Sequence, residues 1–161
     1  MIRRASIHDA AALAQLGERT FRETFEAHNR PDDMDAYIAR TYDESLQRSE
    51  IDDPSLATWV VEDDGELIAF AQLKMTLPDV ELARFYVDRT RHGKGVAQSL
   101  IAVVIDTARS AGARRLWLGV WEHNARAIAF YAKCGFRDCG SHPFIVGSDL
   151  QTDREMEMDL Q

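Results

Sequence analysis

"LARFYVDRTRHGKGVAQSLI" (Leu82–Ile101) carries the reading of the fold. An aromatic and β-branched run ends at Val87, glycines follow at 93 and 95, and apolar residues then recur at helical spacing through Ala97, Leu100, Ile101, Val104 and Ala108. This is a strand entering a helix through glycines. Such a turn exposes the helix's first N–H groups and the positive end of its dipole, which suits a phosphate. Arg91 and Lys94 add positive charge. A P-loop spacing is absent, and a dinucleotide fingerprint needs a third glycine where Gln98 stands, next to the first strand of the chain. Taken alone, the stretch also describes a glycine-rich turn that holds nothing.

Upstream, "LATWVVED" and "ELIAFAQLKM" read as strands joined through "DDG", a hairpin signal, and "VELARFYVD" is a third strand. Before them, "IRRAS" is a short strand, and Ser6 with Asp9 forms a capping box opening a helix through about Gly17. "TFRETFEAHN" continues helically, and "RPDDMDAYIARTY" starts a further helix behind Pro31. Downstream of the helix Val96–Ser110 come a strand "ARRLWLGVW", a helix from Asn124 to Lys133, and two extended segments, "FRDCGSHPFIVG" and "REMEMDL". The sum is an α/β domain on a mixed sheet.

The chain has 161 residues and is read as one domain, 1–161, with a composition of 45% hydrophobic and 29% charged residues. A formal net charge of −8 argues against nucleic acid as a partner. No run approaches the ~20 apolar residues of a membrane span, and the first residues lack a signal-peptide core. Two cysteines, Cys134 and Cys139, indicate no disulfide framework, which makes a cytoplasmic location the default. With His142 they form C-x4-C-x2-H, which is not a common zinc spacing, so no metal is expected. Acids concentrate in "RPDDMD", "SEIDD" and "EDDGE", while Arg84, Arg89, Arg91 and Lys94 fall within eleven residues. This is either a solvated face or a place for a small anion near residue 90 and a cation elsewhere.

"LWLGVWEHNARAIAFYAKCGF" (Leu116–Phe136) runs from strand to helix. Asn124 and Tyr131, seven apart, differ by only ~20° in azimuth and lie ~10 Å apart along a helix axis. Each has a plain structural reading, Asn124 as an N-cap and Tyr131 as a core aromatic. Together with the glycine loop they resemble the GNAT superfamily of N-acetyltransferases: a strand, Q/R-x-x-G-x-G/A opening a helix, then N-x-x-A-x-x-x-Y and a closing G-F. The likeness covers about residues 80–137, with His92 where Gln or Arg is usual.

The resemblance implies a mostly antiparallel mixed sheet flanked by helices, with a splayed central strand pair holding acetyl-CoA. Its pyrophosphate would lie on His92, Gly93, Lys94, Gly95, Val96 and Ala97. Its pantetheine arm would pair with the main chain of Phe85, Tyr86 and Val87, and Asn124 would bond that arm. Tyr131 would protonate the departing thiolate, and an amide such as that of Val87 would stabilise the oxyanion. In relatives acting on protein termini a Glu precedes the Asn; Gly119 stands there instead. Glu81 and Glu122 are therefore the candidate bases, and each also reads as a surface acid.

"TFRETFEAHNRPDDMDAY", "WLGVWEHNARAIAFY" and "GSHPFIVGSDLQTD" are similar to the PaiA-type branch, which implies a polyamine such as spermidine or spermine. Glu23, Glu26, Glu81 and Glu122 would line a channel for such a cation, and Tyr37 and Trp121 would face its ammonium. A protein amino group, another small amine and a catalytically silent CoA-binding regulator remain alternatives. The sequence is compatible with a homodimer and does not fix the oligomeric state.

Overall fold

The hairpin expected at "DDG" forms between β2 (Leu56–Asp63) and β3 (Glu66–Lys74), with Asp64 and Gly65 at φ 51° and 77°. Those angles give the turn a twist that matches its strands. The computed structural model describes residues 1–161. Around this hairpin lie β1 (Ile2–Arg4), β4 (Asp79–Val87), β5 (Arg115–Trp121), β6 (Arg137–Val146) and β7 (Asp149–Asp159). One seven-stranded sheet results, ordered β1-β2-β3-β4-β5-β7-β6. Every pairing is antiparallel except β4 with β5. That parallel pair is only four residues long, Asp79–Leu82 against Arg115–Leu118.

Period-two alternation sends β3 to two cores. Ala69, Ala71 and Leu73 join a cluster under α4 (Val96–Ser110), which contributes Leu100, Ile101, Val104 and Ala108. Phe70 points the other way, towards α1 (Ala10–Phe25) and α2 (Pro31–Thr41), beside Leu16, Phe21, Met34 and Ile38. Each such fully buried aliphatic contributes about 1.5–3 kcal/mol. The remaining helix of that face, α3 (Glu44–Asp52), is capped by Asp43, whose carboxylate accepts the Leu46 N–H at 3.2 Å. Across the sheet, α5 (Ala125–Lys133) starts at Asn124.

Two details differ from the sequence reading. The capping box forms, with Asp9 accepting the Ser6 N–H at 2.8 Å, but the helix it leads into does not stop near Gly17. Gly17 sits mid-helix because a Cβ there would lie 2.2 Å from the Tyr42 ring. The glycine marks a close contact, not an end. Helix α3 is unannounced by the sequence, since its nine residues carry little apolar periodicity and are fixed by packing mainly on α1 and also on β2.

Candidate active site

β4 and β5 part after Leu82 and Leu118, and the cause is visible in β4. Against β3, Gln72 faces Arg84 while Leu73 faces Leu82, so Ala83 is an extra residue. Such a bulge bends a strand. The gap widens into a cleft of about 530 Å³ lined by Leu82–Val87 on one side and Gly119–Trp121 on the other.

The N–H of Asp88 donates to Ile68 at 2.8 Å, and alternation along an antiparallel pair then directs the main chain of Tyr86 to β3 as well. Phe85 and Val87 therefore turn their N–H and C=O groups to the cleft. Tyr86 enters it with its side chain only, a correction to the expected run of three. The Val87 carbonyl already accepts from His92 Nε2 at 2.9 Å, and Arg126 bonds the other ring nitrogen. His92 thus ties the glycine loop to β4. This gives the unusual residue of the loop a structural task.

Gly93 and Gly95 have φ 78° and 82°, with open space where a Cβ would be. Backbone angle, not crowding, calls for glycine at these positions. Gly95 caps α4, whose first-turn N–H groups face the cleft mouth beside Ala97. The side chains of Lys94 and Val96 do not line the cleft: Lys94 is exposed and Val96 packs on the core. Arg91 is paired with Asp63. Asn124 Oδ1 accepts the Ala127 N–H at 3.2 Å, so it is an N-cap that still lines the cleft with its amide NH₂ unspent. Tyr131 is buried at the cleft floor against Phe85, Phe130 and Phe136. Burial raises its phenol above the usual range, so it stays protonated at every working pH.

The other end of the cleft is aromatic. Tyr37 stacks on Phe21 at 4.3 Å and meets Phe144 edge-on at 5.8 Å; Trp121 lies 5.1 Å from Phe25. Glu23 reaches this wall, but its carboxylate accepts the Arg89 N–H at 3.2 Å. Glu26 is exposed beside Arg22. Arg84 also lines the cleft, its charge bound to Glu50 through two bonds of 2.8 and 3.2 Å.

Neither candidate base is in the cleft. Glu81 lies in the paired stretch of β4, beside Lys74 at 3.7 Å, and lines a separate hollow with Trp117. Glu122 is half-exposed beside His123 at 3.3 Å. Besides Glu23, which is engaged by Arg89, the carboxylate that lines the acceptor end is Asp153, on β7. Its side chain is only 11% exposed, and burial pushes it up to about 6 while His142, 3.5 Å away, holds it down. Its Oδ1 is buried without a hydrogen-bond partner. Sequence reading missed it because the residue sits 22 positions beyond Tyr131, on the far strand. Gly119 was the available signal: a glycine inside a strand with no turn to make marks a close approach. A Cβ there would lie 2.6 Å from His142 Cε1 and 3.1 Å from Asp153 Oδ2.

No group of three or more His, Cys, Asp or Glu side chains is placed to hold a metal ion, and no helix is long and apolar enough to cross a membrane. Cys134 is half-buried behind α5 and Cys139 is exposed on β6.

A parted parallel strand pair, a glycine loop at its mouth and a buried tyrosine on the next helix are the parts of an acyl-transfer site of one family. Residues 13–136 match the Acetyltransferase (GNAT) family, and the chain belongs to it; it is an N-acetyltransferase. Among its relatives, an uncharacterized N-acetyltransferase of Mycobacterium tuberculosis is 33% identical over 153 residues, spanning 94% of this chain and 98% of the relative. Another, encoded 3′ of pepI in Lactobacillus delbrueckii subsp. lactis, is 30% identical over 155 residues, 90% of this chain and 88% of the relative. The PaiA N-acetyltransferase of Thermoplasma acidophilum, solved in complex with coenzyme A, shares the fold with a TM-score of 0.85 at 21% identity, over 99% of this chain and 98% of that one.

Proposed function

We propose that this N-acetyltransferase takes its acetyl group from acetyl-CoA and delivers it to a primary amine of a small polycation, spermidine or spermine being the type. The observation that carries the acceptor reading is the aromatic recess of Phe25, Tyr37, Trp121 and Phe144 around one carboxylate, Asp153. Aromatic faces and a carboxylate together recognise an alkylammonium. Arg84, which would repel one, has its charge offset by Glu50. The coenzyme A bound by the PaiA structure, of the same fold, supports the donor.

At the donor end, the α4 amides and the loop 92–97 hold the diphosphate, and Phe85 extends the sheet onto the pantetheine amides. Val87 N–H faces the thioester carbonyl and stabilises the oxyanion when the amine attacks. Tyr131 donates a hydrogen bond to the sulfur as the C–S bond breaks. Because burial holds its phenol high, full proton transfer to a thiolate is uphill, and its main work is to stabilise developing charge. No covalent intermediate on the protein is needed.

The test is thiol release from acetyl-CoA with spermidine, spermine, lysine peptides and buffer alone, alongside calorimetric binding of acetyl-CoA. Release with polyamines well above peptides supports the reading. Turnover confined to peptides removes the polyamine acceptor, and tight binding with no release above buffer makes the protein a sensor instead.

A further inference from the structure

We propose that Asp153 is the general base of the transfer, and that His142, tethered by Glu155, is the positioning residue that aims it and sets its working pH. This rests on the amine-acetyltransferase reading and adds to it the group that frees the nucleophile.

An alkylammonium near pKa 10.4 is almost wholly protonated at neutral pH, so a base must meet it at the thioester. Such a group must line the acceptor end, hold an unbonded oxygen, and be ionised at working pH. Glu81 and Glu122 fail the first condition. Asp153 lines the cleft, and its buried Oδ1 has no partner. Its other oxygen, Oδ2, faces His142 Nε2 at 3.5 Å, and His142 Nδ1 lies 2.9 Å from Glu155 Oε1. His142 comes from β6, while Asp153 and Glu155 are two apart on β7 and so share one face. The arrangement sets Oδ2 of Asp153 against His142 and leaves Oδ1 buried without a partner.

Gly119 shows that the grouping excludes an alternative. A side chain there would enter the space held by His142 Cε1 and Asp153 Oδ2. A base on β5 and the Asp153–His142 pair cannot share this part of the cleft. This chain has the pair.

The step is a simple one. The substrate N–H bond breaks, its electron pair stays on nitrogen for the attack, and the proton forms an O–H bond at the Asp153 carboxylate. After product leaves, the proton passes to water.

The groups facing Asp153 give the pH dependence its sign. His142 from β6 favours the carboxylate, burial disfavours it, and Tyr37 from α2 approaches as a neutral phenol. Glu155 acts through His142, while Glu23 and Arg84 at the same cleft are engaged with Arg89 and Glu50. Burial and His142 oppose one another, so removing His142 raises the pH at which Asp153 ionises.

Rate–pH profiles test this, using the amine that the acceptor screen finds best. Asp153→Asn is expected to lower kcat/KM by about 100-fold or more at pH 7 and to abolish the acid-side inflection near 6. His142→Gln is expected to move that inflection to higher pH, with a loss of about tenfold at pH 6 that is largely recovered at pH 8.5. Gly119→Ala, by displacing His142, is expected to produce the same shift. A purely structural role for His142 would lower the rate equally at all pH values. Carbon NMR titration of Asp153 in the wild type and His142→Gln gives a readout independent of turnover; identical curves would overturn the role of His142. An Asp153→Asn enzyme that keeps the wild-type profile would overturn the base, whichever amine is used. If spermidine is inert but another amine is acetylated, only the polyamine reading falls, and the profiles with that amine decide the base.

Discussion

The donor half of the cleft and the acceptor half are built on different principles. Main chain does the work in the first: the edge of β4, the glycine loop and the amides of α4 all fall within residues 82–101. Side chains do it in the second, and they come from α1, α2, β5, β6 and β7. A backbone site needs contiguous residues with special angles and leaves a motif. A side-chain site needs only that distant residues converge, so it leaves almost no local trace. One fold can therefore keep its donor chemistry while its acceptor end changes.

Substitutions can test the contrast. After Asp153→Asn, the largest expected effect is Gly95→Val. Its positive φ costs a β-branched residue about 1–2 kcal/mol, and a shifted amide forfeits a charge-assisted bond of about 1.5–3 kcal/mol. Calorimetry should show acetyl-CoA binding weakened about 100-fold, while the melting temperature falls by only about 2–8 °C because the strain is local and nothing occupies the Cβ position. Tyr131→Phe should lower kcat about 10- to 100-fold while acetyl-CoA affinity stays within about twofold. Equal losses in the two would make Tyr131 a binding residue.

The acceptor half should also respond in stability. The Asp153 carboxyl is raised to about 6, so its ionised form is disfavoured in the folded state. Asp153→Asn should stabilise the fold by about 1–2 kcal/mol at pH 8, from the 1.36 kcal/mol per pKa unit discounted for partial solvation. That gain is full above the folded value, shrinks as pH falls from about 6, and vanishes below the unfolded value near 3.9. Urea unfolding at several pH values reads it directly, and a pH-independent difference would contradict it. Tyr37→Ala should raise KM for the amine about fivefold with kcat nearly constant, from one lost aromatic face worth about 1 kcal/mol. Smallest of all, Glu81→Gln should leave the rate profile unaltered, because its carboxylate faces Lys74 outside the cleft.

The same contrast explains what could be read from the sequence. Leu82–Ile101 and Asn124–Tyr131 were legible because helix start, strand end and glycine angles are local properties. The strands and helices α1, α2, α4 and α5 followed from periodicity and turn residues. Glu81 and Glu122 misled because closeness in sequence to the motif stood in for closeness in space. Asp153 was hidden by a hairpin that returns it from beyond Gly147 to lie beside His142 on β6. Ser148 fastens that return by donating from N–H and Oγ to Asp33 at 2.9 and 2.8 Å, 115 residues away. No local pattern encodes a contact of that span.

The four-residue pairing of β4 with β5 has a mechanical consequence. It is the one parallel seam in the sheet, joining a four-stranded half to a three-stranded half. On the proposed function, a thioester arm laid across the seam acts as a missing rung, so loading the protein would also brace it. At 100 times its dissociation constant such a ligand adds about 2.7 kcal/mol to resistance against unfolding.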